Sequence, residues 1–404
     1  MRIAVVSSSF PVLSQTFVLN QITALLDAGH EVSILAGRPA PDAPVHEDVF
    51  RYSLIEKTIY WDELHIPGAL IFGRRLLKRG VRRLKLLGQT GFANPKERLL
   101  RAAALERLEP YDAILVHFGT LGHECQILKE LGALKGPMAT VFHGYDMSIV
   151  PAERGEKVYD HLLQEGDLFL PISEYWRRRL LKMGALESKI KVHHMGVDTG
   201  RFRFQARERR EGEPFQILSV GRFVEKKGFD DGVRAFSELL KSCPDAIYKI
   251  LGDGELRRDV ESLAELLGVR EQVHFLGLAT SEEVQEHLAT AHLLFVPSKE
   301  ASNGDKEGIP VVLMEAMASG LPVVTTIHSG IPELVEEGQT GLLAPQGDWR
   351  ALGACLAEMA TFDSTVLKEM GRAGRQRVLD EFDLVSLNRS LVEILEELAA
   401  GSPL

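Results

Sequence analysis

Two series of short apolar runs, each the length of a strand and most followed by a helix-compatible stretch, most constrain how this chain can fold. The first series begins with IAVVS at 3–7, a polar loop, an amphipathic stretch from about Thr16 to Ala28, and the run GHEVSILAG. Strand, helix and strand within about 35 residues open a βαβ unit, which requires a parallel sheet. AILVHF (113–118), MATVFH (138–143), LFLPIS (168–173) and KVHHM (191–195) continue it. The charged stretch FQARERREGEP at 204–214 then separates a second series, QILSVG, AIYKILG, VHFLG, LLFVPS, PVVTT and GLLAP, between residues 216 and 345. A chain of 404 residues is too long for one ordinary core. The expected fold is α/β, with Rossmann-like domains over 1–203 and 204–382 and a helix over 383–404 that could cross back to the first domain. Ligands of open α/β sheets bind outside the carboxyl ends of the strands, so parallel sheets should face each other across a cleft.

Composition narrows the class. No apolar run approaches the roughly 18 to 20 residues that span a bilayer, and the N-terminus lacks the length and basic start of a signal peptide, so a cytoplasmic protein is expected. Cys125, Cys243 and Cys355 are widely separated and odd in number, which suggests buried thiols and neither a disulfide framework nor a zinc site. Residues 1–200 carry 25 Lys and Arg against 23 Asp and Glu, leaving 22 against 34 for the rest, so nearly all of the net charge of −10 belongs to the second half. Ile71 to Gly88 runs against this, with seven basic residues, no acidic one, and Phe72, Leu76, Leu77, Val81 and Leu84 at helical spacing. Such a segment suits either an anionic membrane surface or the solvated face of a packed helix. Nucleic acid is not an expected partner, since no aromatic interleaving or binding motif accompanies the charge.

The chemistry centres on Glu307 and Glu315, which bracket EGIPVVLME. Proline is tolerated where a helix starts but not inside it, so Glu307 should lie on the entering loop and Glu315 within the helix. Eight residues of helical rise span roughly 12 Å, about the length of a sugar diphosphate plus ribose. Between the two acids lie Gly308, Ile309, Pro310 and Val311 at a helix start, where free amides favour anions. Two ordinary surface glutamates would be the plainer reading, but Glu315 sits within VVLMEAMASGLPVV, where an unpaired charge is costly.

EGIPVVLMEAMASGLPVVTT and SGIPELVEEGQTGLLAP, with the upstream VGRFVEKKGF and FHGYD, together resemble the retaining GT-B glycosyltransferases of family 4 over nearly the whole chain. FPVLSQTFV and PSKEASNGDKEGIPVVLMEAM resemble more narrowly the bacterial exopolysaccharide branch of the colanic-acid type. The resemblance implies a retaining hexosyltransferase that takes a nucleoside diphosphate sugar as donor. Its acceptor would be a glycan such as a lipid-linked oligosaccharide at the inner membrane face, which the basic 71–88 segment would help approach. On matching positions, Glu315 accepts hydrogen bonds from the ribose hydroxyls and Glu307 stands beside the donor sugar. Arg222 and Lys227 neutralise the diphosphate, and His143 lies near the sugar. Two fixed cations stabilise a leaving diphosphate more in the transition state than in the ground state and could replace a metal ion. No Asp-x-Asp sequence is present, so metal independence and no further cofactor are expected.

Other positions keep two readings. Asp146 could orient the loop beside His143; His117 could reach the acceptor or be structural. The loop after the first strand lacks the glycine that the family commonly has, and Ser9, Ser14, Gln15 and Thr16 could cap the following helix or contact substrates. Gly252 and Gly254 fall near the nucleotide, while VHFLG, including Leu276, would line the base pocket through backbone groups. Glu225 and Lys226 read as solvated charges; His193 and His194 fit an interdomain region. Glu333 could lie at the donor end or serve a helix start. A GT-B sugar-nucleotide epimerase is the alternative enzyme. An NAD-dependent oxidoreductase lacks its glycine fingerprint, and a non-catalytic binder would not need His143, both cations and both acids together.

Overall fold

The computed structural model describes residues 1–12, 15–40, 45–61, 73, 85–89, 91–210 and 212–401. Ser14 and the basic segment 71–88, apart from Gly73 and 85–88, lie outside the described residues. The chain divides into two compact units, Met1–Ile172 with Trp176–His193 and Asn388–Leu404, and Ser173–Tyr175 with His194–Leu387.

The first unit holds a six-stranded sheet of β1 (Arg2–Phe10), β2 (Glu31–Pro39), β3 (Thr58–Tyr60), β4 (Ala113–His117), β5 (Met138–Phe142) and β6 (Leu168–Pro171). Its order is β3-β2-β1-β4-β5-β6, with every pair parallel. Every residue of β4, β5 and β6 is buried, which is why these strands read as unbroken apolar runs rather than alternating ones. The strand expected at KVHHM does not form. Lys191 and His193 donate backbone bonds to Phe169 and Pro171 at 3.0 Å, but only one isolated bridge, Phe169 to Ile190, results.

One buried ion pair organises the described end of the segment before β4. Asn94 and Glu97 cap the helix Pro95–Leu105 reciprocally at 3.0 Å, and the next residue, Arg98, is 1 % exposed. Its guanidinium meets both Glu124 oxygens at 2.8 Å. It also donates to the carbonyls of Leu87, at 3.0 Å, and Gln89. Glu124 accepts the amides of Phe92 and Ala93 as well, at 2.6 and 3.1 Å. Burial alone would raise its carboxyl; the Arg98 hydrogen bond and charge outweigh this and lower it.

The second unit repeats the design with β7 (Gln216–Val220), β8 (Ile247–Leu251), β9 (Val273–Gly277), β10 (Leu293–Val296), β11 (Val323–Ile327) and β12 (Gly341–Pro345). Their order is β12-β11-β10-β7-β8-β9, again all parallel. Apolar clusters cover the sheet, one built on Phe215, Phe236 and Phe295, the other on Leu294, Met314 and Met317. Strand order reverses between β7 and β10, and the loops leaving those two strands carry most of the candidate residues. Among the described residues no helix is long and apolar enough to cross a membrane. Cys125 and Cys243 are buried free thiols and Cys355 is half-buried.

Candidate functional site

In the second unit the loops after β7, β8 and β9 are knitted through their backbones. Gly221 donates to Leu251 at 2.9 Å, Phe223 to Asp253 at 2.9 Å and Gly252 to Gly277 at 2.7 Å. Gly252 has φ +135°, and a Cβ there would stand 1.8 Å from the Gly221 carbonyl oxygen; at Gly254 it would press on the Phe223 backbone at 2.7 Å. Both glycines are therefore required by close backbone approach, and they fix the loop that presents Arg222. Arg222 is exposed and has no ion pair among the described residues. Leu276 lies on β9, the sheet edge, with its side chain 43 % exposed.

Lys226 and Lys227 follow in a short 3-10 turn, Glu225–Lys227. Lys227 Nζ stands 3.2 Å from Glu307 Oε2, and Lys226 Nζ 3.0 Å from Asp305 and 3.7 Å from Glu307 Oε1. Burial would raise the Glu307 carboxyl; Lys227 and Lys226 together outweigh it and hold the group below the ordinary glutamate range. Glu307 is a buried, ionised acid between two ammonium groups. Reading Glu225 and Lys226 as solvated charges is corrected here: Glu225 accepts the Ser302 amide at 2.9 Å and its hydroxyl at 2.7 Å, so both residues lace the β7 loop to the β10 loop.

The backbone of Glu307 is held separately. Its amide donates to His328 Nε2 at 3.1 Å, and His328 Nδ1 contacts Gln346 Oε1 at 2.5 Å. Pro310 occupies the N-cap of the helix Val311–Ala318. Glu307 thus lies on the loop and Glu315 in the helix, but the 12 Å helical span does not apply, because the chain from Glu307 to Pro310 is not helical. Ile309 and Pro310 are buried, Gly308 is half-buried and Val311 is 44 % exposed. Burial raises the Glu315 carboxyl, with Arg201 opposing. Gly330 packs on this loop, for a Cβ there would meet Ile309 Cγ1 at 2.9 Å. The two oxygens of Glu333 accept the amides of Glu174 and Tyr175 at 2.8 Å, and His194 lies 3.2 Å away.

In the first unit the strand ends of β4 and β5 place His117 and His143 side by side, Nδ1 to Nε2 at 3.4 Å. Phe17 and Phe118 close over His143 at ring distances of 4.8 and 4.5 Å. Burial pushes His143 down to about 3 and His117 well below the usual range, so both rings are neutral at physiological pH. Asp146 joins two helix starts, accepting the amide of His143 at 2.8 Å and that of Gly119 at 2.6 Å. Burial raises it to about 7.

β1 extends through Ser9 to Phe10. Gln15 sits at the N-cap of the helix Thr16–Asp27 but makes no side-chain cap bond; its Oε1 accepts the Ser7 hydroxyl at 3.2 Å instead. The capping reading is therefore corrected for Gln15. Ser9 is half-buried and Thr16 exposed.

Sequence reasoning missed Lys226 and His328 as partners of Glu307, and Asp305 and Gln346 as the groups that hold those two. The available signal was that His328 ends the run PVVTTIH, as His117 and His143 end theirs. Gln346 and Asp305 carried none, since their contacts are made across loops distant in sequence. Among the described residues no group of three or more His, Cys, Asp or Glu could hold a metal ion.

Comparison with known proteins agrees with this layout. The family described as glycosyl transferases group 1 matches residues 201–377, and that described as glycosyltransferase family 4 matches 14–201. A putative colanic acid biosynthesis glycosyltransferase, WcaL of Salmonella typhimurium, is 38 % identical over 98 % of this chain and 100 % of its own. The amylovoran biosynthesis glycosyltransferase AmsK of Erwinia amylovora is 37 % identical over 99 % and 100 %. These relatives are named as glycosyltransferases, which does not favour the epimerase reading. Among solved structures, Anabaena HepE in complex with UDP superposes with a TM-score of 0.72 at 16 % identity, covering 98 % of this chain and 99 % of that one. At that identity the likeness speaks for fold alone, the GT-B fold with its two Rossmann-like units.

Proposed function

We propose that this chain, which belongs to the family 4 glycosyltransferases, moves a hexose from a nucleoside diphosphate sugar to a glycan acceptor with retention of configuration. The observation that carries the proposal is the cluster of Glu307, Lys226 and Lys227 on the loops after β7 and β10, with the exposed Arg222 on the same β7 loop. Two jobs are combined there. Departure of a nucleoside diphosphate leaves growing negative charge on phosphate, which Arg222 and Lys227 meet with fixed positive charge. The sugar left behind gains oxocarbenium character, which an ionised carboxylate stabilises. Glu307 is held ionised by the lysines and serves this electrostatic and positioning role; the acceptor attacks on the face from which the diphosphate departs. Glu315 takes the ribose hydroxyls, with which a carboxyl hydrogen-bonds in either protonation state. His143, kept neutral by burial, offers a hydrogen bond to a sugar hydroxyl rather than a charge, and Asp146 orients it through the backbone. The reaction proceeds without a metal.

The relatives are named for colanic acid and amylovoran biosynthesis, and a surface-polysaccharide acceptor carried on lipid follows from that likeness and from the basic 71–88 sequence, which would approach an anionic inner membrane face. The test is incubation with UDP-glucose, UDP-galactose, GDP-mannose and GDP-fucose, with and without membrane lipid extract, in the presence of EDTA. One donor should release its nucleotide only when extract is present, and the new linkage should keep the donor's anomeric configuration by NMR. Interconversion of the sugar without extract, an inverted linkage or complete loss of transfer in EDTA would contradict the proposal.

A further inference from the structure

We propose that His328 is a positioning residue for Glu307, a neutral imidazole that holds the loop backbone through Nε2 while Gln346 fixes its proton on Nδ1. The proposal rests on the reading of Glu307 given above and adds the device that keeps this acid in place.

The proton assignment follows from one backbone donor. The Glu300 amide donates to Gln346 Oε1 at 3.0 Å, which orients the side-chain amide with its oxygen toward Glu300. That same oxygen stands 2.5 Å from His328 Nδ1, and an acceptor there demands that Nδ1 carry the hydrogen. A neutral imidazole with its proton on Nδ1 has a lone pair on Nε2, and the Glu307 amide points at it from 3.1 Å. The chain Glu300 N–H, Gln346 oxygen, His328 Nδ1–H and Nε2, Glu307 N–H therefore has a single consistent assignment of donors and acceptors. The ring is 3 % exposed, so water does not compete for Nε2.

His328 lies just beyond β11, where Ser329 adopts φ +49° and Gly330 packs on Ile309, so the ring and the loop it holds are anchored on both sides. Lys227 and Lys226 hold the Glu307 carboxylate, but no salt bridge can fix where the Cα sits. The His328 bond does so, adjacent to Gly308, where the chain is least restrained by side chains.

The lock has a defined failure. Protonation puts a hydrogen on Nε2, which then repels the Glu307 amide. Facing the ring are Glu307 and Glu300, which favour protonation, and Lys306, which opposes it; burial is the largest influence and keeps the imidazole below its ordinary range. The lock is intact at neutral pH and opens only on acidification below the usual histidine value.

The experiment compares His328→Leu, His328→Gln and Glu307→Gln in the full chain, using whichever nucleotide sugar the panel identifies. His328→Leu should lower kcat at least about tenfold, since misplacing a reacting group by about 1 Å costs up to about a hundredfold, with a smaller change in donor KM. Glutamine places a non-titrating acceptor near the Nε2 position; it should restore most of kcat and remove the acid limb of the pH profile that His328 contributes. Hydrogen exchange read on peptides covering 305–309 should accelerate in His328→Leu and not in His328→Gln. Wild-type exchange and kcat in a folded His328→Leu would overturn the proposal, as would a His328→Gln variant no better than leucine. Full activity in Glu307→Gln with fast exchange in His328→Leu would instead overturn the role given to Glu307 and leave the lock standing.

Discussion

Lys227→Ala is expected to lower kcat by about 100-fold or more, with a smaller loss of donor affinity. Removing one preorganised electrostatic partner from a developing charge costs about two to three orders of magnitude in turnover. Lys227 pairs with Glu307, whose Oε2 is 3.2 Å from its ammonium, and in the proposed function it also meets the departing diphosphate. In the unliganded protein the lysine is already occupied by Glu307, so part of its attraction for the diphosphate in the ground state is offset by the pair it must loosen. As the glycosidic bond breaks, phosphate charge rises and the balance shifts toward the leaving group. The substitution also leaves Glu307 with Lys226 alone, at 3.7 Å, so its carboxyl should titrate higher and the acid limb of activity should move to higher pH. Lys226→Ala serves as the comparison, because Lys226 is closer to Asp305 at 3.0 Å, and its loss should cost less. Steady-state kinetics separate the outcomes. A raised KM with unchanged kcat would mean that Lys227 acts equally on bound donor and transition state.

Arg98→Leu should destabilise the first unit by about 3 to 5 kcal/mol, the usual cost of breaking a buried ion pair by removing one partner. Among the described residues Glu124 would keep the two amides of Phe92 and Ala93 against its burial, and the carbonyls of Leu87 and Gln89 would lose a donor. The charged carboxylate is 3 % exposed, so little solvent screens it. Its pKa is depressed in the folded protein, so the stability it confers is present above the unfolded glutamate value and lost as pH falls through the folded one. The Arg98→Leu deficit should accordingly shrink toward acid pH. The double variant Arg98→Leu with Glu124→Leu should recover much of the loss, since no buried charge is left unpaired. Urea denaturation measures both; a single-variant loss under about 1 kcal/mol would show that the pair is not a structural clamp.

The fold was legible where burial is complete. LLFV and AILVH show no alternation because both faces of their strands are covered, and the breaks between runs fall at the loops. β3 escaped because it is three residues at a sheet edge, too short for a pattern, and KVHHM misled because an apolar pair beside a sheet resembles a strand without completing a ladder. At the site, Glu307 and Glu315 were separable by Pro310 alone. What the sequence could not tell was pairing across loops: Lys226 differs from a solvated lysine only because Asp305 and Glu307 come within 4 Å of it, some 80 residues further on. Gly252 and Gly254 looked like a weak nucleotide motif, and their requirement is a backbone approach that the spacing of the two residues does not reveal.

The central claim is a direction: Glu315 at the nucleotide end of the donor and Glu307 at the sugar end. Calorimetric titration of the donor's free nucleoside diphosphate into Glu315→Gln and Glu307→Gln tests it most directly. Glu315→Gln should weaken the diphosphate, whereas Glu307→Gln, which frees Lys227 from its carboxylate and leaves Lys226 with Asp305, should bind it at least as tightly as wild type while losing transfer of the intact donor. Equal weakening of the free diphosphate by both substitutions would contradict the assignment.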